Sequence, residues 1–497
     1  MKELDLFKLH DPLIDRGPYS WIVCNGIGLY DNFHDIVKEV MVLYNYKKFR
    51  LCREISLKLN CSIDLLNDIL RKKTLWIPLN LIESLLSMIK EKEEDKYNYY
   101  LNKITASIDY LKPIPTSKTI VKAHKLCDEN ISKFCGIHAA DGTLGLQVSI
   151  ESVDYGKLLD YKDLIKNNFS LLNLSNIGKK LKEVYYFNFS VKEDLKIEIF
   201  KFLKRNNIMY RLGYHINIVD GYKSDMIFLK GLIEEIFGVN VKIKHDRNMS
   251  IIAMSNKVIG RYLNNLFNFP LGYKCKDVKP PEIIENSDFI IKKAFCNGFL
   301  QFDGSVKFDG RVSLNVRSKK IIDFIENVLK EDGLNINRWI RKDGEFSFES
   351  SFNKEFLGYF NKSTFKYNRL YWYAYGNNST IDSLEDAKVK LRAVFPTNKN
   401  NSKIDFVDIL EKIIRLKQFN RYTLCKEANL HYKSIEKVLR ILEIANIIMV
   451  ERINKVERIK NLSDKIKFND DFKKWNLPNT NPLDSPVGEE SRVVCSI

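Results

Sequence analysis

Residues Phe134–Gly145 read FCGIHAADGTLG, and residues Phe295–Val306 read FCNGFLQFDGSV. Each stretch sets a glycine five residues before an aspartate, Gly136 before Asp141 and Gly298 before Asp303, with Gly142 and Gly304 directly after the acid. The run ahead of each acid is apolar and rich in small residues, so each acid falls at the end of a helix-like segment. Beyond Asp141, Leu144, Leu146, Val148 and Ile150 alternate with Thr143, Gly145, Gln147, Ser149 and Glu151. That alternation predicts a strand with one apolar and one polar face. Beyond Asp303, the pair Asp309-Gly310 between alternating runs predicts a two-residue hairpin. On its second strand Val312, Leu314 and Val316 face one way, and Arg311, Ser313, Asn315 and Arg317 the other.

The similarity continues outward. Helical segments KSDMIFLKGLIEEIFG and SKKIIDFIENVLKEDG follow, both closing on a glycine suited to a C-cap. Alternating strands come next, VNVKIKHDR with SIIAMS and LNINRWIRK with EFSFES, then final helices NKVIGRYLNNLF and NKEFLGYFNKSTF. The order helix, two strands, helix, two strands, helix therefore runs twice. Residues 154–211 interrupt the first copy and have no counterpart in the second.

The chain has 497 residues, enough for about two to four domains. A hydrophobic fraction of 45% fits a globular protein, and a formal net charge of +17 calls for a polyanionic partner, nucleic acid or an anionic membrane surface. No apolar run approaches the roughly 20 residues of a membrane span, which disfavours an integral membrane protein. The N-terminus lacks the layout of a secretory signal. The nine cysteines form no CxxC pair, which reads as reduced thiols and a cytoplasmic, nucleoid-associated location.

Helical signals flank the duplicated region. Residues 1–45 carry no clear motif. Residues 46–95 hold two short helices broken near Asn60 and Cys61, Ser62 as an N-cap, a basic cluster Arg71–Lys73 and a third helix opened by Pro78, the layout of a helix-turn-helix. The charged run Lys90–Lys103 reads as an exposed helix end or a linker, and residues 96–122 are taken as the linker. Residues 377–403 are polar and turn-rich, a second linker. Residues 404–465 run helix, helix, helix, then a β-rich segment, a winged-helix order, with Lys433, Lys437 and Arg440 on one helical face. A solvated charged face has the same appearance. Residues 466–497 are rich in Pro, Asn and Ser and are expected to be disordered.

The two nine-residue segments FCGIHAADG and CNGFLQFDG, each followed by the same element order, resemble the paired motifs of single-chain LAGLIDADG homing endonucleases. The resemblance spans roughly residues 123–375. It implies an α+β fold of two pseudo-symmetric αββαββα repeats, residues 123–285 and 286–376, with DNA-binding sheets flanked by the helical domains. It implies a monomer acting on double-stranded DNA. In that family the motif helices pack at a pseudo-two-fold axis, and Gly136, Ala139 and Ala140 would allow the close approach. The resemblance further implies that Asp141 and Asp303 hold divalent metal, normally Mg2+, with the backbone oxygens of Ala140 and Phe302, and that a metal-bound water attacks a phosphodiester. Lys274 and Lys366 stand where relatives carry a basic residue beside each metal site.

A twisted β-ribbon fits the major groove, where polar side chains read base edges. The expected readers are Gln147, Ser149, His215, Asn217, Lys242 and Lys244 in the first copy. In the second they are Arg311, Ser313, Asn315, Arg317, Asn335, Asn337 and Arg341. Two features depart from the pattern. Ala139 and Gln301 replace the consensus first Asp, a variable position. Phe302 fills a position that is usually small, and is expected to alter the helix approach and weaken cleavage there. Two alternatives share the basic surface: a non-cleaving transcriptional regulator and an RNA maturase for intron splicing. An intein is disfavoured by Met1 at the start and Ile497 at the end.

Overall fold

The computed structural model describes residues 2–15, 20–71, 76–114, 119–180, 183–246, 249–272, 278–307 and 310–375. Beyond these it describes 386, 389–390, 394, 409–410, 412, 418–429, 432–444, 448–451 and 465–468. Near the N-terminus, helix α1 (Leu29–Leu43) is followed by α2 (Lys48–Leu59), which stops at Asn60. Asn60 takes the left-handed conformation at φ 51°, which asparagine tolerates better than branched residues. The Ser62 hydroxyl accepts the Leu65 amide at 3.2 Å and starts α3 (Ile63–Arg71). Helix α4 (Leu79–Lys90) begins directly after Pro78.

The expected linker 96–122 is instead structured. It holds most of α5 (Glu94–Ala106) and then β4 (Tyr110–Pro113) and β5 (Val121–Lys122). These strands join β2 (Ile22–Asn25) and β3 (Ile77–Pro78) in a sheet ordered β3-β2-β4-β5. Two features order this segment. The lysines of the charged run pair with α1, Lys96 with Glu39 at 2.8 Å and Lys103 with Asp35 at 2.9 Å. The apolar residues between them, Ile104, Ile108 and Leu111, are fully buried. A short ladder of β1 (Lys2–Glu3) with β6 (Leu126–Cys127) closes the region.

Two helices form the centre, and both start on the same device. Asp128 accepts the Ile131 amide at 3.0 Å and opens α6 (Glu129–Asp141); Asp288 accepts the Ile291 amide at 3.2 Å and opens α12 (Phe289–Asp303). They cross where each has its glycine. A Cβ on Gly136 would overlap the carbonyl oxygen of Phe295, and one on Gly298 would overlap that of Lys133. Backbone meets backbone at both points, so no side chain fits there.

Each helix feeds a sheet. Behind α6, β7 (Gly142–Ser152), β10 (Arg211–Asp220), β12 (Met249–Ser255) and β11 (Ile243–Asp246) pair in that sequence. Leu144, Leu146, Val148 and Ile150 are at most 1% exposed, so the alternation of β7 has one buried face. Behind α12, β13 (Ser305–Val306), β14 (Val312–Val316), β16 (Phe346–Ser350) and β15 (Ile336–Ile340) pair in the corresponding sequence. Helix α9 (Lys223–Phe237) packs on the first sheet and α13 (Lys319–Glu331) on the second. Gly310, at φ 77°, supplies the backbone conformation that its turn needs, while Phe308 and Asp309 lie outside the described residues.

The inserted residues 154–211 do not form a separate lobe. They fold as α7 (Tyr155–Asn168), β8 (Gly178–Lys180), β9 (Val184–Val191) and α8 (Lys196–Arg205), and β9 pairs with β7 along seven residues. The first sheet thereby becomes six-stranded, ordered β11-β12-β10-β7-β9-β8. The first copy ends in α10 (Lys257–Arg261), which continues as a π-helical turn; α11 (Glu282–Glu285) leads into α12. The expected last helix of the second copy is only a 3-10 helix, Lys354–Tyr359. It breaks because Asn361 accepts the Ser363 amide at 2.9 Å, a side-chain turn that competes with helical bonding, and α14 (Phe365–Tyr375) follows.

The chain divides into two compact units, 1–307 with 311–367, and 308–310 with 368–497. In the second unit α15 (Arg421–Ala428) and α16 (Tyr432–Ile444) accompany a sheet of β17 (Gln418–Asn420), β19 (Lys465–Phe468) and β18 (Ile448–Glu451), ordered β17-β19-β18. Ile435, Val438, Leu439 and Leu442 give α16 one buried face, and Arg440 is exposed. The expected tail 466–497 begins inside β19, where Lys467 pairs with Met449; residues 469–497 lie outside the described residues. Among the described residues, no helix is long and apolar enough to cross a membrane.

Candidate active site and nucleic-acid interface

Asp141 and Asp303 are the last residues of α6 and α12, five positions past the glycines at which the helices cross. Asp303 is exposed and Asp141 half-buried. Lys366, near the start of α14, feels both carboxylates. Its ammonium is buried and donates to the carbonyl oxygens of Gln301 and Phe302, the latter at 3.0 Å. These carbonyls belong to the last turn of α12, where the helix itself leaves acceptors unused. Burial pushes the Lys366 ammonium down, and Asp225, Asp220, Asp141 and Asp303 oppose that shift.

Two further acids complete the cluster, and sequence reading missed both. Asp220 ends β10 and Asp225 lies in the first turn of α9; they are 7% and 0% exposed. Asp220 accepts the Tyr222 amide at 2.7 Å, and Asp225 accepts from the Gln301 amide at 3.0 Å. In each, the other carboxylate oxygen is buried without a hydrogen-bond partner among the described residues. Burial pushes both carboxyls above the usual range, with repulsion from Asp225 adding to the rise at Asp220 and repulsion from Asp141 to that at Asp225, and Lys366 opposes both. The Gln301 carbonyl oxygen accepts the Asn361 amide at 2.9 Å and the Thr364 hydroxyl at 3.3 Å. Gln301 therefore ties α9 to the segment that delivers Lys366. Phe365 adds to this hold, its ring centroid 3.9 Å from that of Tyr222.

These donors suit a hard divalent ion in one respect. The acids are oxygen ligands beside carbonyl-rich helix ends, and Mg2+ is commonly held by one or two carboxylates with water and substrate phosphate. Among the described residues no group of three or more His, Cys, Asp or Glu forms a self-sufficient metal cage. The Phe302 carbonyl differs from the expected ligand in already accepting the Lys366 ammonium. The Phe302 side chain is buried, and the helices approach most closely one turn earlier, at Gly298. Lys274 lies outside the described residues.

The candidate readers of the first copy share one sheet face. Register sets Gln147 opposite Gly213, Ser149 opposite Arg211, His215 opposite Gly145 and Asn217 opposite Thr143. Directly opposed residues point to the same side. Lys244 and Val219 both stand opposite Ile251 and so join that face. Lys242 is exposed just ahead of β11. The His215 ring lies between Gln147 Oε1, 3.0 Å away, and Ser255 Oγ, 2.8 Å away. Ser255 carried no signal of its own in the sequence, because only the pairing of β10 with β12 brings it to His215.

In the second copy Ser313 and Asn337 both oppose Glu349, and Asn315 opposes Ser347. Arg311, Arg317, Asn335 and Arg341 keep the same two-residue phase. Their charges are pre-paired: Arg311 with Glu349 at 3.0 Å, Arg317 with Glu345 at 3.2 Å, and Arg341 with Glu345 at 3.6 Å. The Ser347 hydroxyl donates to Asn315 Oδ1 at 2.7 Å.

No family model matches this sequence, and no curated protein matches it. Among solved structures, the chain is similar to I-DmoI in complex with DNA and Mn, at 12% identity over 46% of this chain and 91% of that one, with a TM-score of 0.26. It is similar to full-length DUF199/WhiA from Thermatoga maritima, at 11% identity over 67% of this chain and 93% of that one, with a TM-score of 0.26. It is also similar to the I-LtrWI LAGLIDADG homing endonuclease bound to target DNA, at 13% identity over 66% of this chain and 99% of that one, with a TM-score of 0.15. Such remote likenesses leave the functional reading to the geometry.

Proposed function

We propose that this chain is a site-specific, metal-dependent endonuclease of double-stranded DNA, of the LAGLIDADG homing type, with two αββαββα repeats in one chain. One observation carries the reading. Two helices meet through Gly136 and Gly298, and their terminal acids, Asp141 and Asp303, act on one buried lysine. Two acids serving two strands explain why the pattern occurs twice. Asp141 and Asp303, with the Ala140 carbonyl, would hold a divalent ion, which supplies a polarised water and charge relief at the leaving oxygen. Lys366 would hold positive charge beside the scissile phosphate, and the Asp225, Asp141 and Asp303 carboxylates would keep it protonated while buried. The polar sheet faces would bind the duplex, their cations answering its phosphates. The helix-turn-helix and winged-helix readings of the two terminal regions would extend that binding.

The ammonium on the Phe302 carbonyl favours a second reading, a DNA-binding regulator that does not cut. The test is selection of bound sequences from a random duplex library, followed by incubation of the selected duplex with the full chain and magnesium. Site-selective cutting that chelation abolishes supports the endonuclease. Tight selective binding with both strands intact moves the assignment to the regulator, and failure to enrich any sequence overturns both.

A further inference from the structure

The inserted strands β8 and β9 change the first sheet in a way that the second does not share. Register sets Ser190 opposite Gln147, Asn188 opposite Ser149 and Tyr186 opposite Glu151. These three residues of β9 therefore lie on the same face as the candidate readers of β7. The other face of β9 is closed: Phe187, Phe189 and Val191 are at most 2% exposed, and Tyr155 of α7 packs edge-on against Tyr185 at 5.2 Å. The outward face ends in a charged corner. Lys180 pairs with Glu151, and Arg211 reaches the same carboxylate at 3.2 Å. The Lys180 and Arg211 side chains are 45% and 61% exposed, whereas Glu151 is 14% exposed beneath them. The corner therefore presents cations to solvent and hides its acid. The Lys180 ammonium also lies 4.8 Å from the centre of the Tyr186 ring. That ring lies across β8 at Gly178, where an added Cβ would sit 2.9 Å from it.

We infer that β8 and β9 form an added strip of the DNA-contacting face, so that the first sheet covers a longer half of its target than the second. The inference rests on the proposed DNA reading. Its occupant is duplex DNA continuous with the part under β7 and β10, because the strip shares their face and ends in exposed cations. Strands spaced about 4.8 Å apart make the strip about 10 Å wide, the rise of about three base pairs. Asn188 and Ser190 offer donors and acceptors to base edges, and Lys180 and Arg211 meet phosphates.

The test compares the full-length wild type with a triple variant, Lys180→Ala, Asn188→Ala and Ser190→Ala. Both are put through selection on a random-sequence duplex library without divalent metal, and then through salt titration on the selected duplex. A Gln147→Ala variant marks which half of the site lies under the first sheet. The expected wild-type site is asymmetric, longer in the half that Gln147→Ala alters. The triple variant should lose base preference only at the outer end of that half. It should bind about tenfold more weakly and reduce the slope of log affinity against log salt by about one. The inference is overturned, with the DNA reading intact, if the triple variant selects the same full site with the same affinity and slope. It is also overturned if the triple substitution weakens binding of a random-sequence RNA pool alone. Failure of the wild type to enrich any duplex removes the DNA reading and this inference together. Far-ultraviolet circular dichroism and unchanged positions in the other half exclude misfolding as the cause of a loss.

Discussion

Helices α6 and α12 are alike where they touch and unlike where they end. Both open on an aspartate cap, both cross at a glycine whose Cβ would strike the partner's backbone, and both close on an aspartate followed by glycine. The final turn differs. In α6, Ala139 and Ala140 precede Asp141. In α12, Gln301 and Phe302 precede Asp303, and Gln301 reaches Asp225 while both carbonyls accept Lys366. Packing at a helix crossing tolerates one solution, a missing side chain, so both copies keep it. The last turn only has to present an acid, so its neighbours are free to diverge, and here they form a fixed link between the copies.

The largest way to break the comparison is Lys366→Met. It removes the cation that faces Asp225, Asp141 and Asp303 and leaves the Gln301 and Phe302 carbonyl oxygens without their donor, and should cost about 3 kcal/mol in chemical denaturation, because removing one partner of a buried ion cluster strands the rest. Next, Gly136→Ala and Gly298→Ala should each cost about 3 kcal/mol and by similar amounts, since each new Cβ overlaps a main-chain oxygen. A marked inequality between them would mean that the crossing is not symmetric. Gln301→Ala should cost about 2 kcal/mol, as it leaves Asp225 and the Asn361 amide short of partners.

The smallest effect sharpens the contrast through pH. The Asp220 carboxyl is raised, so the neutral form is the one the fold favours. Its contribution is complete below the ordinary carboxylate range and is lost as pH rises through the raised value. Asp220→Asn stays neutral and should lose less stability than the wild type between pH ~5 and ~8 in thermal melts. Asp15 gives the opposite sign. It is buried against Arg261 at 2.9 Å and Lys257 at 3.3 Å, which hold its carboxyl below the usual range. Stability from Asp15 is therefore present above the ordinary carboxylate pKa and lost as pH falls through its lowered value.

The legible parts of this molecule were local. Asn60 and Ser62 announced a helix break, and the two-residue rhythm of β7 and β14 announced their faces. The glycine-to-aspartate spacing also marked the crossing helices. What stayed hidden depends on contacts across the chain. The Gln301–Asp225 bond spans 76 residues, and the Lys366 bond to Phe302 spans 64. No periodicity records them. The place of residues 154–211 was not legible, because their own sequence does not reveal that β9 would pair with β7. Residues 96–122 looked like a linker because their charges, read alone, do not show Glu39 and Asp35 waiting on α1.

The most direct measurement is strand-resolved cleavage of the selected duplex in magnesium by the wild type, Asp141→Asn and Asp303→Asn. The account predicts that the wild type cuts both strands and that each single variant leaves a different strand intact, because each acid serves one strand. Loss of cutting on the same strand in both variants, or cutting unchanged in either, would contradict it.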